Sequence, residues 1–141
     1  MTAKVKIVAD STCDLNQELL ERYQIETIAL PVNLGDKACL DGVDVHTPDL
    51  FEYYKQTGKL PTTSAPTPAY YEDFYKRWTE EGYEVVHLSI SGEMTVTPNI
   101  ARMAAEKFPQ VFPVDSRNVS CGMGMLAIYA AELRDKGLSG A

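Results

Sequence analysis

The chain has 141 residues, 45% hydrophobic and 23% charged, a balance that fits one globular domain with its own core and excludes a disordered tail or a fibre. Twenty acidic against thirteen basic residues give a net charge of −7, with no basic cluster to neutralise phosphates, which argues against nucleic acid as a partner. Cys13, Cys39 and Cys121 are odd in number and form no CxxC, so a reducing cytoplasm is the expected setting, and no run approaches the ~18 apolar residues of a stable membrane insertion.

Val5, Ile7, Val8 and Ala9 are apolar and mostly β-branched, and the segment runs into Asp10-Ser11-Thr12, the pattern of a buried strand leaving its sheet into a polar loop. Leu15, Leu19, Leu20 and Tyr23 then recur at helical spacing, with Asp14 as the expected cap. Thr27 to Val32 reads as the next strand, and its Pro31 points to an edge or a bulge. Gly35-Asp36 and Asp41-Gly42 bound a short hairpin-like excursion. Thr47-Pro48, Thr67-Pro68 and Thr97-Pro98 each mark a helix start, the Thr capping free amides and the Pro needing no partner for an N–H it lacks. Gly58, Gly82 and Gly137 are the matching stops. Val85 to Ile90 and Val111 to Asp115 are two further strands, and a helix over Cys121 to Lys136 closes the chain. This order predicts a single α/β domain over residues 1–141, with a mostly parallel β-sheet and helices on both faces. Ligands of such sheets collect at the carboxyl ends of the strands.

Polar side chains cluster at those ends: Asp10-Ser11-Thr12, Ser89-Ile90-Ser91-Gly92 and Asp115-Ser116, with Thr62-Thr63-Ser64 in the linker between two helices. Their hydroxyls and loop amides can hold a carboxylate or a phosphate, and they serve equally as caps and turn formers. No P-loop, HExxH or GxSxG motif is present, and no cofactor or metal is expected. Gly122-Met123-Gly124-Met125-Leu126-Ala127 satisfies GxGxxA formally but stands too far from its strand, so its glycines point to close helix packing or to a ligand near the helix start. His87 inside a strand reads as structural and His46 as surface. Asp41, Asp44 and Asp49 lack the spacing of a calcium loop and read as solvated. Tyr70, Tyr71, Phe74, Tyr75 and Trp78 read as the core face of a helix.

Taken together, these residues resemble the DegV family of bacterial fatty-acid-binding proteins. Val8-Ala9-Asp10-Ser11-Thr12-Cys13-Asp14-Leu15 resembles the family's D-S-T-x-D-L opening, and Asp41-Gly42-Val43-Asp44 its D-G-x-D loop. Leu60-Pro61-Thr62-Thr63-Ser64-Ala65-Pro66-Thr67-Pro68 resembles P-x-T-S-Q-P-S/T-P, with Ala65 in place of Gln. Ile90 to Thr97 aligns with I-S-S-x-L-S-G-T, and Asp115-Ser116 with Ser120, Gly122 and Gly124 aligns with D-S-x-x-x-S-x-G-x-G.

The resemblance implies a binding protein, not an enzyme, that holds a long-chain fatty acid and presents it to the catalytic subunit of a fatty acid kinase. It places the carboxylate on Thr63 and Thr95, with Ser64, Ser91, Gly92, Ser11, Ser116 and Gly122 as further ligand-binding positions. It covers only the family's N-terminal domain, so this chain would carry about half of a site whose other wall and basic residues come from a second, C-terminal domain. The face left open makes a homodimer an expectation. Gly92 stands where the family has Ser, Thr95 where it has Ser, and Val96 where it has Gly, a change expected to be costly if the backbone there needs a positive φ. Two other readings remain open: an enzyme acting on a small phosphorylated or carboxylated substrate with Asp10 or Asp115 as general base, and a non-catalytic interaction domain.

Overall fold

The computed structural model describes residues 4–141. Strand β1 (Lys4–Asp10) is central in a four-stranded, all-parallel sheet with β2 (Ile25–Ile28), β6 (Tyr83–Ser89) and β7 (Val111–Asp115), in the order β2-β1-β6-β7. Alternation along β1 explains its two faces. Val5, Ile7 and Ala9 pack against Met123, Ala127 and Ala131 of helix α5 (Ser120–Asp135), with Leu20 and Tyr23 of α1 (Gln17–Tyr23) beside them. Val8 faces the other way, onto Tyr71 and Tyr75 of α3 (Pro68–Glu80) and Ala101 and Ala104 of α4 (Thr97–Ala105). Helices therefore cover both faces, and the aromatic stripe of α3 is the core face its spacing predicts.

The predicted strand over Thr27 to Val32 is two strands in two sheets. Residues Ile25–Ile28 pair with β1, the chain leaves at Ala29-Leu30, and β3 (Pro31–Leu34) joins an antiparallel sheet of order β4-β3-β5 with β4 (Lys37–Leu40) and β5 (Thr62–Thr63). Pro31 has no N–H to give a ladder, and it is accommodated as the first residue of the middle strand rather than at an edge. The step between sheets is pinned twice: Leu30 N–H donates to Ser11 Oγ at 3.1 Å, and Tyr70 O–H donates to the Ala29 carbonyl at 3.0 Å. This second sheet has its own small core of Val32, Cys39 and Val45, against which Leu50 of α2 (Thr47–Thr57) packs.

Helix starts follow the predicted device at one of three places. Thr67 accepts the Tyr70 N–H at 3.3 Å as expected. At α2 the bond runs the other way, with Asp49 accepting the His46 N–H at 2.8 Å, and at α4 Thr97 is the first helical residue and Thr95 accepts its N–H. Asp14 does not cap α1: it adopts a left-handed conformation (φ 51°) that closes the 3-10 turn Ser11–Cys13, and Asn16 caps α1 by accepting the Leu19 N–H at 2.9 Å. Gly124 sits where a Cβ would come within 2.7 Å of the Cys13 carbonyl, so the glycine pair of α5 serves close packing at this point.

Beneath the sheet's carboxyl end, Asp10 is fully buried and accepts three hydrogen bonds: from Tyr71 O–H (3.0 Å), from His87 Nε2 (2.9 Å) and from the Ile90 N–H (3.0 Å). A carboxylate only accepts, so His87 Nε2 is the donor to Asp10, and on the other side of the ring Nδ1 lies 2.6 Å from the Tyr75 hydroxyl in a second buried hydrogen bond. His87 is structural, as its place in a strand predicts.

Candidate functional site

A groove of about 360 Å³ opens at the carboxyl ends of β1 and β6, in the seam between the two sheets. The connections from β1 lead to β2 on one side and, further along the chain, to β6 on the other, so the groove lies at the switch point where open α/β sheets take ligands. Leu30, Val32 and Ile90 give it an apolar floor, and Met94 and Val96 an apolar wall. Thr63 of the second sheet, the adjoining Ser64, and Thr12, Thr95 and Thr97 beyond the ends of the first sheet's strands supply its hydroxyls. No Lys, Arg or His lines it among the described residues, whereas the carboxylate-bearing Asp41 does.

The two hydroxyl groups reach the groove for different reasons. Thr63 sits in register with Val32 in a two-residue strand, so the β3 and β5 pairing fixes its backbone while its side chain stays exposed. Ser64 is held beside it by its N–H to the Pro31 carbonyl (3.3 Å), and its hydroxyl keeps a proton to give. Thr95 ends the loop after β6: its Oγ1 accepts the Thr97 N–H at 3.3 Å and lies 3.0 Å from Thr97 Oγ1.

Val96 is unstrained. Its φ of −79° is negative and lies on the right-handed side, so the cost expected for a positive φ in place of glycine does not arise there. The side chain is 59% exposed and adds apolar wall instead.

The other predicted positions lie outside the groove. Ser11 pins Leu30 and lines a neighbouring, more polar recess of about 630 Å³, together with Asp14, Gln17, Thr27 and Thr47. That recess is larger, but two carboxylates and no cation make it a poor seat for an anionic lipid. Ser91 is buried and accepts the Glu93 N–H, and Ser116 is buried in a turn with Asn118. Gly92 donates its N–H to Asp115, and a Cβ there would meet Asp115 Oδ2 at 2.6 Å, so the residue serves the approach of that carboxylate. Gly122 abuts Asn118. Thr12, from the predicted hydroxyl cluster after β1, also lines the groove, as do Thr97, Asp41 and Met94, which were not among the ligand-binding positions the resemblance implied. In the sequence, Thr97 stood as a helix start and as the last residue of the segment aligned with I-S-S-x-L-S-G-T.

Neither predicted general base is suited to that work. Both oxygens of Asp10 are engaged by buried donors, and the residue has no exposed surface. The Arg117 N–H, aided by the Gly92 N–H and the charges of Arg102 and Arg117, holds the Asp115 carboxyl below the usual carboxylate range, which weakens it as a base. Among the described residues no group of His, Cys, Asp and Glu is placed to hold a metal, and no helix is long and apolar enough to cross a membrane.

The family model described as the uncharacterised DegV family matches residues 4–141. A DegV domain-containing protein of Clostridium perfringens is 36% identical over 138 residues, which is 96% of this chain and 50% of that protein. Two solved structures superpose closely. A DegV family protein of Thermus thermophilus, described for its fatty acid binding, has a TM-score of 0.87 and 34% identity over 96% of this chain and 49% of its own. A stearic-acid-binding protein of Eubacterium ventriosum has a TM-score of 0.86 and 29% identity over the same shares. The chain spans about half the length of the relatives it matches.

Proposed function

The chain belongs to the DegV family, and from that premise we propose that its groove takes the carboxylate end of a long-chain fatty acid. Thr63, Ser64 and Thr95 donate to the carboxylate, while Leu30, Val32, Ile90, Met94 and Val96 line the first part of the acyl chain. The observation that carries this reading is the seam itself, where hydroxyl donors from both sheets converge over an apolar floor. Each buried CH₂ contributes about 0.8 kcal/mol, so the chain supplies affinity and the hydroxyls fix the head. The groove itself suffices for uptake, and a second domain would strengthen the hold by closing the far side of the acyl chain and bringing the cation this groove lacks. The bound acyl group is then offered to a fatty acid kinase, and no step of catalysis falls to this chain.

Stearate titration of single variants tests the assignment. Thr95→Val and Thr63→Val keep side-chain volume and remove one donor each, and each is expected to weaken binding roughly tenfold or more, the worth of a hydrogen bond to a charged group. Unchanged affinity in both would remove the head-group role of these residues. Asp41 gives an independent check, because its carboxylate faces an incoming anion. Asp41→Asn is expected to tighten stearate binding by roughly two- to fivefold at low salt and less at high salt, the scale of an exposed charge pair. Weaker binding in this variant would show that the head group lies elsewhere.

A further inference from the structure

Thr95 and Thr97 form a two-hydroxyl chain whose direction is set by burial. Thr97 is 2% exposed, and the hydrogen-bond partner of its hydroxyl among the described residues is Thr95 Oγ1, 3.0 Å away. A hydroxyl has one proton to give and two lone pairs to fill. With Thr95 as donor, the Thr97 proton would be buried with no acceptor, which is the costly arrangement. With Thr97 as donor every buried group is satisfied, and the proton of Thr95 is left for the groove.

The lone pairs of Thr95 are then both in use, one by the Thr97 N–H and one by the Thr97 O–H. Donation is its only remaining capacity, so it suits a head group that only accepts. The start of α4 offers no competing donor. The Thr97 N–H is taken by Thr95, Pro98 has none, and the Asn99 and Ile100 N–H groups both donate to the Val96 carbonyl, at 3.0 and 3.2 Å.

We infer that Thr97 is a positioning residue that makes Thr95 an obligate donor to the ligand carboxylate, an inference that rests on the fatty-acid reading of this groove. Thr97 borders the groove but is only 2% exposed, so it acts through Thr95 rather than by meeting the ligand head itself. A preference for an ionised carboxylate over an alkylammonium of equal length arises from the same geometry.

A double-mutant cycle with stearate, run on the 141-residue chain, separates this inference from the reading beneath it. Thr97→Val is expected to weaken binding roughly three- to tenfold, Thr97→Ser to stay within about twofold of the parent, and Thr97→Val to add nothing to Thr95→Val. Full affinity in Thr97→Val, or losses that add in the double variant, overturns the positioning role. Full affinity in Thr95→Val overturns the inference as well, whereas no stearate uptake by the parent chain overturns the fatty-acid reading itself. Hydroxyl proton exchange, followed by NMR in the ligand-free chain, decides the donor direction in either case. A slowly exchanging Thr97 proton beside a fast Thr95 proton supports the inference, and the reverse order overturns it.

Discussion

Asp10→Leu is expected to cost about 3–5 kcal/mol of stability, enough to unfold much of the protein, because it removes the acceptor of a fully buried network and leaves three donors stranded. The Tyr71 hydroxyl, His87 Nε2 and the Ile90 N–H would all lose their partner at once. Asp10→Asn sharpens the test. Whichever way its amide is turned, an NH₂ group faces at least one buried donor, so a loss of roughly 1–3 kcal/mol is expected even though volume is kept. Urea unfolding of both variants measures the effect. A stability within about 0.5 kcal/mol of the parent for Asp10→Leu would contradict the network, since only surface positions behave that way. The network also bears on the groove, because Asp10 holds the backbone of Ile90, which forms part of the groove floor and leads into the loop carrying Thr95.

Alkaline pH should unfold the chain through the same cluster. Burial, then the nearby charge of Asp10, pushes the Tyr71 and Tyr75 phenols far above their ordinary range. The folded chain therefore keeps two protons that the unfolded chain releases above about pH 10. Their contribution is complete below that pH and is lost as pH rises further, by up to about 1.4 kcal/mol per pH unit for each tyrosine. Cys13, whose thiol is raised by burial, adds a smaller decline that begins nearer pH 8.5. Urea midpoints measured from about pH 8 to about pH 11.5 should fall steeply in the upper part of that range. Tyr75→Phe should be less stable at neutral pH, having lost its bond to His87, yet show a shallower alkaline slope. An equal slope in the variant would mean that Tyr75 ionises freely in the folded chain.

Where one physical rule governed a segment, the sequence was readable. The alternation of β1, the aromatic spacing of α3 and the glycine stops each report a single local constraint, and the parallel order comes from the succession of strands and helices. Reading failed where distant partners decide. Nothing local says that Thr27 to Val32 divides between two sheets, because the division depends on β1 taking Ile25–Ile28 and on β4 and β5 taking Pro31–Leu34. The caps failed similarly, since Asp49, Asn16 and Thr95 compete with the nearer Thr and Asp as hydrogen-bond partners. Within the site, Thr63, Ser64 and Thr95 were found through their resemblance to a family motif. Ser11, Ser91 and Ser116 share that motif chemistry, but Ser11 lines the neighbouring recess and Ser91 and Ser116 are buried away from the groove, a distinction only the folded structure makes. Asp41 and the partnership of Thr97 with Thr95 depend on the seam between the sheets and carry no linear signature.

Native mass spectrometry of the chain with stearate tests the central claim most directly. A one-to-one adduct in the parent chain, lost or strongly reduced in the Thr63→Val, Thr95→Val double variant, is the predicted result. A chain that stays empty at saturating stearate, or an adduct that survives the double substitution undiminished, would contradict the proposed site.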